Sequence, residues 1–191
     1  MLALDLRLPP VECDTIEHAA LLHDLGKIGI PDAVLLKPAA LTESERLVIG
    51  SHPTIGADII RTCGTMDDVV PCVLHHHERI DGRGYPDKLR AEAIPRGARV
   101  IAVCDSFDAM TTDRPYRRAL PVPTALAELH RVAGTQLDRT YVRAFEGVVA
   151  AMLADRATTS TAHAGELDHL FALADLPPSE PVALTAGAAG S

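Results

Sequence analysis

The sequence predicts an all-α bundle of about six or seven helices. Three observations carry this expectation. Hydrophobic residues make up 47% of 191 positions, enough for one buried core. Aromatic residues are only 3%, with no Trp, so that core must be built from Ala, Leu, Val and Ile, as where helices approach closely. No stretch shows the period-two alternation of a strand ladder, and there is no internal repeat.

The elements follow in order. Asp14-Thr-Ile-Glu17 reads as a capping box opening an Ala/Leu-rich helix that ends near Leu25-Gly26. Gly and Pro in Lys27-Ile-Gly-Ile-Pro31 stop it. Thr42-Glu-Ser-Glu45 is a second capping box, for a helix running to about His52. Pro53 marks the next boundary, and Thr54 to Cys63 follows as a helix. Asp67 to His77 is another, with Val69, Val70, Val73 and Leu74 on its apolar side. Glu78 to Pro95 is dense in turn residues. Helix returns over Arg96 to Thr111, a polar loop covers Asp113 to Pro123, and Thr124–Ala133 and Asp138–Asp155 complete the bundle. Residues 157–191 are rich in Ala, Thr, Ser, Pro and Gly and read as a low-complexity, disordered tail, with one short helix over Glu166–Leu176. The expected domain is therefore 1–156.

Charge and cysteine content exclude several functions. A formal net charge of -8 gives no long-range attraction for polymeric nucleic acid, and few aromatics leave no stacking platforms for single strands. A small anion remains compatible with a metal-lined cleft. Cys13, Cys63, Cys72 and Cys104 match no zinc spacing and are too sparse for a disulfide framework. Without a signal peptide or spanning run, the chain is expected to be cytoplasmic and not membrane-bound.

Nine His occur, five of them between His23 and His77. His23-Asp24 ends an apolar helix; taken alone it fits a surface helix end equally well. His52 before Pro53 is, alone, an ordinary helix-end residue. His75-His76-His77 is denser, but adjacent helical residues point about 100° apart, so two ligands and one bystander are expected. Asp105 interrupts the apolar run Val100 to Phe107, a costly place for a charge unless it is paired or metal-bound. Together, imidazole and carboxylate form the mixed set suited to iron, manganese or zinc. Two such ions about 3.5–4 Å apart would acidify a water and polarise a phosphoryl oxygen.

At these residues the chain resembles a known family. His23-Asp24-Leu-Gly-Lys27 is similar to the signature of the HD phosphohydrolase superfamily. His76-His-Glu-Arg-Ile-Asp-Gly-Arg-Gly-Tyr-Pro86 resembles the defining motif of its HD-GYP branch, and Asp105 to Arg117 that branch's third block. The resemblance runs from about Ala19 to Phe145. It implies an HD-domain helical bundle that hydrolyses cyclic di-GMP to the linear dinucleotide pGpG or to GMP, as a bacterial signalling phosphodiesterase. It implies His23, Asp24, His52, His76, His77 and Asp105 as metal ligands, with Asp24 bridging two ions, or three in some members, of iron or manganese. His75 falls outside the motif.

On the substrate side, Lys27, four residues after His23, would meet a phosphate as a point charge. Arg114 and Arg117 would grip the second phosphate, although a solvated basic loop is their plainer reading. Gly82, Gly84 and Pro86 shape a loop around Tyr85, which either lines the site or docks partners such as diguanylate cyclase domains. Asp108 would support the metal shell or cap the following loop.

The resemblance also has a gap. Family members usually carry a further helix with a His ligand before the His-Asp doublet, and only 22 residues precede His23. His18 lies about 140° around the helix from His23 and is a poor substitute. The expectation is an N-terminally truncated domain with a reduced metal complement and an exposed apolar face favouring homo-oligomers. A catalytically impaired module acting by nucleotide or protein binding is the alternative.

Overall fold

The computed structural model describes residues 2–113 and 118–155. Residues 1–150 form one compact unit, and the site lies within it. Arg114 and Arg117, and the tail from 157 with its expected short helix, lie outside the described residues.

The architecture is helical, with no strand among the described residues beyond an isolated bridge between Ala133 and Leu137. The elements are α1 (Leu2–Asp5), α2 (Pro10–Leu22), a 3-10 turn at Leu25–Gly29, α3 (Asp32–Leu35), α4 (Glu43–Ile49), α5 (His52–Cys63), α6 (Val70–His75), a second 3-10 turn at Ala91–Ala93, α7 (Arg96–Thr111), α8 (Val122–Val132) and α9 (139–155).

Several boundaries differ from expectation, each for a local reason. α2 starts at Pro10, which lacks an N–H to leave unpaired at a first turn, so Asp14 sits inside the helix and caps nothing. The Thr42 box is real: Thr42 Oγ1 accepts the Glu45 N–H (3.3 Å), and Glu45 Oε2 accepts the Thr42 N–H (2.8 Å). Lys37 adds a salt bridge to Glu45 at 2.7 Å. α5 begins at His52, with Pro53 inside its first turn. α6 is shorter than expected because Pro71 is tolerated only at its start.

Two apolar clusters share α2 and α7. One gathers Leu2, Ile16, Val100, Val103, Leu129, Val142 and Phe145. The other gathers Ala19, Ala57, Ile60, Val70, Val73 and Ile101. Each fully buried Val, Leu or Ile contributes about 1.5–3 kcal/mol of transfer free energy. Ala19, Ala57, Ala98 and Ala125 are all completely buried, the close approach that a core poor in aromatics requires. Phe107 and Phe145 make an edge-to-face pair at 4.9 Å.

Where the Leu25–Gly29 turn crosses α5, a Cβ on Gly26 would collide with the His52 carbonyl and the Gly56 N–H. This absence of side chain lets the Asp24–Lys27 segment lie directly on the start of α5, beside His52.

Candidate metal centre

The end of α2, the start of α5, the end of α6 and the third turn of α7 meet at one place. They bring His23 and Asp24, His52, His76 and His77, and Asp105 together. His52 and His76 are each only 1% exposed. The ring nitrogens of His52, His76 and His77 lie within 4.8 Å of one another. Asp24 Oδ1 is 3.4 Å from His52 Nε2, and Asp24 Oδ2 is 3.5 Å from His23 Nε2. Asp105 Oδ1 is 3.9 Å from His23 Nε2.

Ring orientation is set by the backbone. His23, His52 and His76 each direct Nδ1 at the carbonyl three residues earlier: Ala20 (2.7 Å), Ile49 (2.8 Å) and Val73 (2.7 Å). A carbonyl only accepts, so Nδ1 carries a hydrogen in each ring, and in the neutral His52 and His76 rings Nε2 presents a lone pair. The Nε2 atoms of His52 and His76 then face each other at 3.3 Å. Two lone pairs at that distance repel, and a cation between them would turn the contact attractive.

Burial keeps the His52, His76 and His77 imidazoles neutral. It pushes His76 down to about 4 and His77 down to about 2, with neighbouring His rings adding to the effect. His52 is lowered by burial too, partly offset by its bond to Ile49 and by Asp24. Burial works to raise Asp24, but the hydrogen bond and charge of Lys27, with His23 facing it, outweigh burial and hold the carboxyl below its ordinary value. Neutral imidazoles beside an ionised carboxylate are the protonation states a divalent cation needs. The donor set fits a metal.

The substrate-side residues are less uniform. Lys27 Nζ lies 2.6 Å from Asp24 Oδ2, so its ammonium is paired with a candidate ligand. Tyr85 stacks at 5.0 Å on His77, with the rings inclined by 33°. Its hydroxyl is pushed up to about 12 by burial and by Asp105 and Asp24. The loop lies tightly on the metal segment: a Cβ on Gly84 would strike the backbone of His77, Glu78 and Arg79. Asp108 Oδ1 accepts from Thr112 Oγ1 at 3.2 Å at the end of α7. A cavity of about 610 Å³ between α1, α2 and α7 opens onto His23, Asp24 and Asp105 and is walled by Ile16, Leu21 and Cys104.

Sequence reasoning missed Glu78. It is 4% exposed, and its Oε1 accepts the Asp87 N–H at 2.7 Å. His75 stands outside the three-imidazole group, as expected, but is paired with Asp87.

The sequence matches the HD domain family over residues 1–141. The chain belongs to the HD domain family. Within it, the chain is 46% identical over 142 residues to the cyclic di-GMP phosphodiesterase response regulator RpfG of Xanthomonas campestris, covering 72% of this chain and 37% of that protein. It is 33% identical to a 3'3'-cGAMP-specific phosphodiesterase of Vibrio cholerae, covering 72% of this chain and 30% of that protein. The chain thus spans less than two fifths of the length of either relative. An HDG"Y"P protein from Bdellovibrio bacteriovorus shares the fold, with a TM-score of 0.64 at 20% identity over 78% of this chain and 48% of that structure. The HD-domain helical fold and the HD-GYP resemblance expected from the three motif blocks are supported by these relatives. Among the described residues no helix is long and apolar enough to cross a membrane.

Proposed function

We propose that this domain hydrolyses a phosphodiester of a cyclic dinucleotide, cyclic di-GMP foremost, using two divalent ions, iron or manganese. The observation that carries this reading is the facing pair of His52 and His76 Nε2 atoms, 3.3 Å apart, with His23, Asp24, His77 and Asp105 around them. The relatives support the substrate class. A third ion and the choice between pGpG and GMP as product stay with the same reading.

When bound, the metal pair would supply an acidified water and polarise a phosphoryl oxygen. The chain does the rest. Asp24, 3.5 Å from His23 Nε2 and 3.4 Å from His52 Nε2, would serve as a ligand shared by the ions. Lys27, 2.6 Å from Asp24 Oδ2, would be the cation that meets a phosphate oxygen of the substrate. Arg114 and Arg117 remain the proposed grip on the second phosphate. Tyr85 covers the His77 side and offers a flat face to a base or ribose.

Purified protein loaded with manganese or ferrous iron should convert cyclic di-GMP to linear product. No turnover with either metal, in a sample of native helical content, overturns the proposal. Faster turnover of 3'3'-cGAMP than of cyclic di-GMP would move the substrate while keeping the chemistry. A diguanylate cyclase domain would meet the outward side of the Gly82–Pro86 loop, where Arg83 is exposed.

A further inference from the structure

His75 stands outside the group formed by His52, His76 and His77. It has another partner. Its Nδ1 faces the Pro71 carbonyl at 2.9 Å and its Nε2 faces Asp87 Oδ2 at 2.9 Å. Asp87 is held a second time: its N–H donates to Glu78 Oε1 at 2.7 Å. The other Glu78 oxygen is buried without a hydrogen-bond partner. A buried carboxylate half used in this way is costly, which argues that the one bond it makes matters. The two anchors therefore flank the ligand pair His76-His77 and converge on the residue that follows Tyr85-Pro86.

Between the anchors the Tyr85 N–H donates to the His77 carbonyl (3.3 Å), and the Tyr85 ring stacks on the His77 ring. The His75–Asp87 pair is largely exposed on its Asp side, 56%, so it adds little to global stability. Its effect is local, in fixing where Tyr85 sits. We propose that His75 and Glu78 are positioning residues that clamp Asp87 and thereby hold Tyr85 over the metal centre, setting the affinity for the dinucleotide. This rests on the phosphodiesterase reading for its kinetic consequence, but not for the clamp itself.

The test uses the full chain with His75→Leu, which removes the donor, and His75→Gln, whose amide N–H can replace Nε2–H. Hydrogen exchange of the amides over residues 82–88 should quicken by about tenfold in the Leu variant and return in the Gln variant. Metal content should be unchanged in both. With cyclic di-GMP, KM should rise about tenfold in the Leu variant with kcat within about twofold, and the Gln variant should recover most of the loss. Glu78→Leu should repeat the pattern. Unchanged exchange in His75→Leu overturns the clamp. Loss of bound metal in that variant also overturns it, since His75 would then belong to the centre. Faster exchange with an unchanged KM overturns the positioning role. A wild-type chain without turnover defeats the phosphodiesterase reading, and the exchange comparison still decides the clamp.

Discussion

His52 and His76 point their Nε2 atoms at each other across 3.3 Å, each ring locked by Nδ1 on the carbonyl three residues before it. With both rings neutral, the two Nε2 lone pairs repel, and a cation bound between them would relieve that repulsion.

Metal binding should therefore stabilise the fold strongly. At a manganese concentration one hundred times Kd, linkage gives about 2.7 kcal/mol. Calorimetry should show Tm rising with added manganese in the wild type. His52→Ala or His76→Ala should abolish most of that rise and lower the bound metal measured by elemental analysis. A rise of full size in either variant contradicts the ligand assignment.

Acid should destabilise the metal-free chain in a defined window. The folded-state value of His76 is lowered from 6.5 to about 4 by burial. The unfolded chain therefore takes up a proton at higher pH than the folded one. The contribution is fully present above pH 6.5 and is lost as pH falls toward 4, at an upper limit of roughly 3 kcal/mol. Urea midpoints measured between pH 7.5 and 4.5 in chelator should fall with pH, and His76→Asn should flatten that slope.

Only one of the four thiols should react readily. Burial pushes Cys72 and Cys104 up to about 11, and Cys13 is buried, whereas Cys63 is exposed. A thiol with that value is almost wholly protonated at pH 8, and the thiolate is the reactive form. Alkylation of the native chain, read by mass spectrometry, should label Cys63 first and the others only on unfolding.

Two glycines should respond in opposite directions. A methyl at Gly26 meets the α5 backbone, so Gly26→Ala should cost about 1–3 kcal/mol or more by overpacking, with loss of metal affinity as Asp24 moves off His52. Gly147 lies exposed within α9 with nothing near its Cβ direction, and Gly147→Ala should stabilise by about 0.5–1 kcal/mol. Denaturant midpoints of the two variants check both signs.

The helices were legible in the sequence where punctuation was unambiguous. Thr42-x-x-Glu45 gave a capping box, and Arg96–Thr111 matched in full. Asp14-x-x-Glu17 has the same spacing but lies after Pro10, and a proline at a first turn outcompetes a capping side chain. The six expected ligands came from the family resemblance; the structure groups His52, His76 and His77 and sets His23, Asp24 and Asp105 beside them. What the sequence could not show was pairing across space. Lys27 turned toward Asp24, His75 bonded to Asp87 and Glu78 buried beneath the loop depend on how segments cross, and composition carries no record of that.

The loop after His77 is also stitched to the turn between α8 and α9, where Ile80 and Asp81 donate their N–H groups to the carbonyls of Gln136 and Thr135. That seam joins two stretches of chain more than fifty residues apart in sequence. A single residue inserted at 134–137 would shift the seam's register and carry the displacement back to Tyr85. The connection is a surface turn by location, yet its length is constrained as tightly as the Gly82–Pro86 loop it braces.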